Sequence, residues 1–229
     1  MASTAIVGST GLVGANILST LLTLPSISSV HSISRRAPSS TDPKLHPLVS
    51  AETSQWSTQF SSITPPPSIL FSALGTTKGL AGSVEAQRKI DYDLNLAIAQ
   101  AAKAAGVKVY VLISTGGANA KSFIPYPKMK GELEESVKEL GFEHTIILRP
   151  GLLVGNRNDS RFVEGVFRKV AGAMGSVANV LKDVWAQDAD VVGKAAVAAG
   201  LQALEGGKPK VWEIGQAEII KLGRTEWKA

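Results

Sequence analysis

The chain has 229 residues, 44 % apolar and 19 % charged, with 24 lysines and arginines against 19 acidic residues and a net charge of +5. This suits a globular fold with a full core and excludes a disordered chain. There is no cysteine, and the three histidines, His31, His46 and His144, are scattered, so disulfides, thiolate sites and a Cys nucleophile are excluded and a metal is not expected.

Residues 1–34 hold no charged side chain, hence neither the basic start of a secretory signal nor the arginines of a mitochondrial transit peptide. Within them, residues 5–24 carry three glycines, an asparagine and several Ser/Thr. They read as a buried strand and a packed helix, not as a membrane span of about 20 apolar residues. The first strand is expected over 4–7, a helix over 12–22 and a second strand over 30–34. The stretch 37–67 is rich in Ser, Thr and Pro and is read as a short third strand near Leu48 and a loose helix around 56–63. Residues 69–73 are short and wholly apolar, as a central parallel strand should be. A glycine-rich loop runs to Gly82, and a long helix over 84–105 stops at Gly106, a suitable C-terminal residue. A fifth strand follows at 108–113, a helix over 127–140 and a sixth strand at 144–148. Beyond Pro150 come a loop, helices near 161–173 and 190–204, and a late strand at 211–214.

Alternating short apolar runs and helices predict an α/β fold, a Rossmann-type doubly wound parallel sheet flanked by helices. Residues 1–229 read as one domain, with a small C-terminal extension from about 150 that lines the substrate side.

Gly8-Ser9-Thr10-Gly11-Leu12-Val13-Gly14 reads G-x-x-G-x-x-G between an apolar strand and an apolar helix, the context that turns a weak glycine pattern into a dinucleotide-binding turn. Gly8 allows the turn, Gly11 the approach of a pyrophosphate and Gly14 the packing of helix on strand; the helix N–H groups then face the phosphates. The bland alternative is a tight turn without a ligand. After the second strand an NAD site usually offers a carboxylate to the ribose. Here Arg35 and Arg36 stand there instead, a pair suited to a 2′-phosphate, so NADP(H) is preferred over NAD(H); the alternative is a solvated arginine pair. Ala73-Leu74-Gly75-Thr76, at the end of the fourth strand, is placed along the adenosine and ribose.

Ser114 and Thr115 end the fifth strand, and Tyr126 and Lys130 stand one helical turn apart beyond it. Pro127 at the first helical position would make Tyr126 the cap. A phenol is a weak acid at neutral pH, and a neighbouring ammonium is expected to lower its pKa towards the working range. Ser114 would hold a substrate carbonyl and Tyr126 would donate the proton. The alternative is an ordinary aromatic at a helix start and a surface lysine.

These motifs together resemble the short-chain dehydrogenase/reductase superfamily over nearly the whole chain. The match is closest to its atypical branch, which holds the fungal found-in-mitochondrial-proteome (FMP) family and the Tat-interactive oxidoreductase-like proteins. The specific stretches are Leu74-Gly75-Thr76-Thr77, Tyr126 through Glu132, Leu148 through Leu153, and Asn156-Arg157 with Ser160-Arg161. The resemblance implies NADPH binding, Tyr126 as proton donor, Lys130 on the nicotinamide ribose, Ser114 orienting a carbonyl, and Pro150 beside the nicotinamide. Thr115 replaces Ser114 if the register slips by one. The Asn-Asn-Ala-Gly motif of ordinary members is replaced here by Ala73-Leu74-Gly75-Thr76. The resemblance also implies peripheral contact with the mitochondrial outer membrane on its cytosolic face.

Three readings follow: an NADPH-dependent carbonyl reductase or dehydrogenase acting on a small carbonyl substrate, a non-catalytic NADPH-binding redox sensor, and a basic protein docked on anionic lipid. Superfamily members dimerise through the helices corresponding to 84–105 and 127–140, and both a homodimer and a monomer stay open. Nucleic acid is not expected as a partner, because the basic residues form no dense run and RNA-binding aromatic motifs are absent.

Overall fold

A computed structural model of the chain describes residues 1–154 and 186–228. Its main sheet takes β1 (Ala2–Val7), β2 (Ile27–Ser34), β3 (Leu45–Val49), β4 (Ile69–Ser72), β5 (Val109–Ile113), β6 (His144–Leu148) and a last strand at Val211–Ile214. Every pairing is parallel. From one edge the order is β3, β2, β1, β4, β5, β6 and then the last strand, so the winding reverses between β1 and β4. In a sheet of this kind the crevice beyond the strands' carboxyl ends at that reversal is where a ligand sits.

The central strands are apolar without alternation because helices cover both faces. All of β4 and β5 is buried. One face of the sheet packs on α1 (Leu12–Thr23) and on the long C-terminal helix Ala189–Glu205. That helix lies close because alanines at 195, 196, 199 and 203 form its buried stripe. The other face packs on α2 (Trp56–Ser61), α5 (Asn95–Ala104) and α6 (Pro125–Glu139), with Phe60, Ile98, Leu133 and Val137 filling the core. At the sheet's far edge Trp212 and Ile214 turn inward while Val211 and Glu213 face out, the alternation of a strand covered on one side.

Several expected boundaries move. β1 and β2 begin earlier than residues 4 and 30, and β4 ends at Ser72, before Ala73. The loop before Gly82 contains a short helix, α3 (Lys78–Ala81), capped by Thr77, whose hydroxyl accepts the Leu80 N–H at 3.3 Å. The single helix expected over 84–105 is three pieces: α4 (Val84–Arg88), a π-helical turn at Lys89–Leu94, and α5. The widened turn admits one extra residue and reorients the side chains around it.

Beyond Pro150, β7 (Leu152–Val154) pairs in parallel with β8 (Ala186–Asp188) in a separate two-stranded sheet where a loop was expected. Two other elements were not foreseen, α8 (Gln216–Ile220) and a π-turn at Lys221–Thr225, whose Ile219 and Leu222 are buried. The Ala189–Glu205 helix, α7, agrees with the helix expected near 190–204, and Val211–Ile214, β9, coincides with the late strand. Both belong to the main sheet and its cover. The helix expected near 161–173 and the stretch from Asn156 to Arg161 lie outside the described residues.

Candidate functional site

The glycine turn sits at the carboxyl end of β1, beside the reversal. Gly8 lies at φ 80°, a conformation that favours glycine. The Gly11 N–H closes the turn on the Gly8 carbonyl at 2.9 Å. At Gly14 a Cβ would come within 2.0 Å of the Gly8 carbonyl oxygen, so any side chain there would push helix and strand apart. Gly11 is the N-cap of α1, with no side-chain cap, and the first turn holds no acidic residue. Its N–H groups are therefore left facing the crevice, as an anion site requires.

Val13 is buried and Leu12 half-buried against the core, and Thr10 is exposed at the turn. The Ser9 hydroxyl pairs with Ser32 Oγ at 2.7 Å, stitching the turn to β2. Ser9 can therefore meet a ligand through its backbone only. Arg35 and Arg36 follow β2 directly and are exposed, and among the described residues neither meets a carboxylate. The Ser34 hydroxyl fixes the corner by donating to the Arg36 carbonyl at 2.7 Å.

Across the crevice, Ala73 continues beside β1, its N–H donating to the Val7 carbonyl at 3.0 Å. Leu74 is buried and Gly75 exposed. The Thr76 N–H donates to Asp91 Oδ1 at 2.7 Å, and its carbonyl accepts from Gln87 Nε2 at 3.0 Å. The segment 73–76 is thus pinned from both sides.

β5 and β6 bring the remaining candidates together. Past β5 the chain stays beside β6, with the Ser114 N–H on the Leu148 carbonyl and the Gly116 N–H on the Pro150 carbonyl, both 2.8 Å. Pro150 is buried. Gly151 is held by Gln187, whose Oε1 accepts the Gly151 N–H at 3.2 Å while its Nε2 donates to the Gln216 carbonyl at 2.9 Å.

Ser114 does not face the crevice as expected. It is buried and its hydroxyl donates to Glu134 Oε1. Glu134 is 2 % exposed and is held by Arg149, with Nη2–Oε2 2.5 Å. Arg149 reaches on to Glu213 at 2.7 Å, and Lys138 completes the chain of charges on Glu213. Burying a carboxylate demands such partners, and Ser114 is one of them. The neighbouring Thr115 is half-buried, and its hydroxyl meets no described residue.

Tyr126 is not the cap residue. α6 opens on Pro125 with Ile124 as N-cap, so Tyr126 is the second helical residue, 41 % exposed. Pro125 takes the early position expected of Pro127, for the same reason: a fixed φ and no N–H needed there. Lys130 lies one turn on, 3 % exposed, its Nζ donating to the Ile113 carbonyl at 3.0 Å.

The electrostatics differ from the expected acidified phenol. Desolvation pushes the Tyr126 phenol above its ordinary pKa, and the Asp91 carboxylate pushes it the same way. Burial pulls the Lys130 ammonium below its ordinary value, while Asp91 and Glu134 pull it back up. The lysine's charge is shared with two carboxylates and a carbonyl, so little of it is left to favour a phenolate.

Asp91, Gln87, Glu134 and Gln187 were not among the expected site residues. A signal for the first existed: Gln87, Asp91 and Asn95 are polar residues four apart on a helical stretch, and all three are buried. Nothing local marks Glu134 or Gln187.

Residues 47–176 match the HIM1 family. Over 98 % of its length the chain is 54 % identical to the whole of the protein fmp52-1, mitochondrial, of Aspergillus terreus. It is 53 % identical, again over 98 %, to the whole of the protein fmp52, mitochondrial, of Emericella nidulans. Among solved structures, the Bordetella bronchiseptica enzyme WbmH in complex with NAD+ superposes with a TM-score of 0.66 at 15 % identity, over 93 % of this chain and 75 % of that one. The UDP-glucose 4-epimerase of Thermotoga maritima with UDP-glucose does so with 0.64 at 18 %, over 93 % and 76 %. At such identities the superpositions speak for the fold alone: a Rossmann-like parallel sheet flanked by helices. The family match and the full-length relatives show that the chain belongs to the FMP52 family.

Proposed function

We propose that this protein is an NADP(H)-dependent oxidoreductase of the carbonyl reductase or dehydrogenase type. The observation that carries this is the placement, at the carboxyl ends of one parallel sheet, of an uncapped glycine-turn helix, an arginine pair that meets no carboxylate among the described residues, and the Tyr126–Lys130 helix start. The residues fit the cofactor: the helix N–H groups suit its pyrophosphate, Arg35 and Arg36 its 2′-phosphate, and the pinned segment 73–76 its adenosine side. Pro150, with Gln187 holding the residue after it, suits the nicotinamide side. The bound cofactor supplies the hydride that reduces a carbonyl carbon.

The chain's own residues handle the oxygen. Thr115, whose hydroxyl meets no described residue, donates a hydrogen bond to the carbonyl oxygen and fixes its orientation. Tyr126, kept neutral, donates its proton to that oxygen as the bond to carbon forms. Lys130 holds the ribose. Ser114 is assigned to the support of Glu134. With a turned-over carbonyl in hand, Tyr126→Phe and Thr115→Val each lower kcat by on the order of 10²-fold or more while NADPH still binds, and Ser114→Ala chiefly lowers stability. Full activity in Tyr126→Phe contradicts the assignment, and a Ser114→Ala loss as deep as that of Thr115→Val restores Ser114 to the role.

A second reading concerns location. Relatives carry the word mitochondrial in their names, and no helix among the described residues is long and apolar enough to cross a membrane. The loop before α6 exposes Phe123 fully and Ile124 by 64 %, between Lys121 and Lys128, which are also exposed. Apolar tips flanked by lysines suit peripheral attachment to an anionic lipid surface, here assigned to the cytosolic face of the mitochondrial outer membrane. Co-sedimentation with phosphatidylcholine–phosphatidylinositol vesicles should fall with added salt and fall further in Phe123→Ser/Ile124→Ser. Equal binding by that double variant contradicts the reading.

A further inference from the structure

Phe123 is fully exposed and Ile124 is 64 % exposed, and the two lead through the exposed Pro125 straight into Tyr126, itself 41 % exposed. Four consecutive residues thus form one outward apolar run that ends on the proposed proton donor. Hydrogen bonds hold the run out. The Asn119 N–H donates to the Pro127 carbonyl at 3.0 Å, and the Ser122 N–H to the Asn119 carbonyl at 2.9 Å. Asn119 Oδ1 accepts the Lys121 N–H at 2.9 Å, and Ser122 Oγ accepts the Ile124 N–H at 3.1 Å. Folding Phe123 back onto the core would break these bonds.

Single exposed apolar side chains are ordinary, but a clustered set is not. Of the eight large apolar side chains exposed among the described residues, five follow the carboxyl ends of three neighbouring strands. Leu80 comes after β4, Phe123, Ile124 and Tyr126 after β5, and Leu152 after β6. The Gly116 N–H on the Pro150 carbonyl keeps the chain beyond β5 beside the chain beyond β6. Thr115 and Lys130 stand at this same end of the sheet.

The charges beside the run point to what it meets. Lys121 is exposed and meets no carboxylate among the described residues. Lys128 lies 3.9 Å from Glu132, which Arg88 already holds at 2.6 Å. Apolar tips between available ammonium groups suit an anionic lipid surface. A polyol or sugar carbonyl crossing such a rim would give up hydrogen bonds to water with no protein partner to replace them. An alkyl chain gains by leaving water.

We propose that the substrate is a carbonyl carried on an apolar chain and dissolved in the membrane, entering over the Phe123–Tyr126 rim while the protein rests on anionic lipid. The proposal rests on the oxidoreductase reading and extends the peripheral attachment to the substrate itself. In the reduction, a hydride from NADPH bonds to the carbonyl carbon, the π pair of the C=O bond moves to oxygen and takes the Tyr126 proton, and the phenolate regains a proton from water. The products are the alcohol and NADP+.

The first test needs no turnover. The chain has no cysteine, so Tyr126→Cys and Val211→Cys each carry an environment-sensitive dye at one place. Val211 is exposed and opens β9, at the opposite end of the sheet. Vesicles of phosphatidylcholine and phosphatidylinositol should shift the dye at 126 to the blue and leave the dye at 211 unmoved. No shift at 126, or equal shifts at both, overturns the proposal.

The second test is kinetic. With NADPH and the same vesicles, kcat/KM for butanal, hexanal, octanal, decanal and the matching methyl ketones should climb roughly two- to fourfold per added methylene. Vesicles should raise decanal turnover, whereas they would lower it for an enzyme free in water by sequestering the substrate. Phe123→Ser/Ile124→Ser should lower the decanal-to-butanal ratio of kcat/KM by roughly tenfold, and Phe123→Ser alone, which leaves the N-cap of α6 in place, should lower it in part. A flat series, or a ratio unmoved in both variants, overturns the substrate class and leaves the oxidoreductase reading standing. If the dye at 126 meets lipid and no carbonyl of the series is reduced, the oxidoreductase reading fails and the substrate class falls with it.

Discussion

In the proposed chemistry Tyr126 gives the proton, and its surroundings set the direction of that proton. A phenol raised above its ordinary value of about 10 is fully protonated at neutral pH, so the free protein holds the form that donates to a carbonyl oxygen. The sign is fixed by the causes: desolvation and the Asp91 carboxylate both disfavour phenolate. In an ultraviolet difference titration of wild type against Tyr126→Phe, the missing phenolate absorbance should therefore appear only above the range of an ordinary tyrosine. Its appearance below that range would mean that Lys130 dominates, as its spacing from Tyr126 first suggests. The spacing placed Tyr126 and Lys130 one turn apart on a helix, as α6 has them. It did not foretell where the Ser114 hydroxyl goes, since its partner Glu134 lies twenty residues on and is itself placed by Arg149 from another strand's end.

At the scale of elements, the site depends on how closely the loop after β5 lies on α6. A Cβ on Gly131 would stand 2.2 Å from the Ala120 nitrogen and 2.4 Å from the Asn119 carbonyl carbon. Both are backbone atoms, which cannot swing aside. Gly131→Ala should thus destabilise the fold by roughly 2 kcal/mol and displace the loop that carries Thr115, lowering turnover more than NADPH binding. Urea denaturation and steady-state kinetics on the one variant check both, and a fully stable, fully active Gly131→Ala would show that the loop gives way freely. The strands were legible because parallel, doubly covered strands are unbroken apolar runs, as in Val109–Ile113. The interrupted helix was not: a π-turn changes the count by one residue and leaves composition untouched. Its trace in the sequence is the polar series Gln87, Asp91 and Asn95, buried where a helix of this sheet should present apolar side chains.

Across the whole molecule, the winding order decides where function can sit. The reversal between β1 and β4 puts the glycine turn and the segment 73–76 on opposite walls of one crevice, and β5 and β6 bring Thr115, Tyr126, Lys130 and Pro150 to the same end of the sheet. Beyond Pro150, β9 and α7 complete the main sheet and its cover, because an edge strand with one buried face still needs a helix behind it. In the proposed function Arg35 and Arg36, exposed just past β2, are what would separate two cofactors differing by one phosphate. Each charge-assisted hydrogen bond to that phosphate is worth about 1.5–3 kcal/mol, and 1.4 kcal/mol is a factor of ten in affinity. The decisive measurement is a side-by-side titration of NADPH and NADH against the purified protein. The account predicts that NADPH binds roughly 10- to 100-fold more tightly; equal affinities, a preference for NADH, or no binding of either would contradict it.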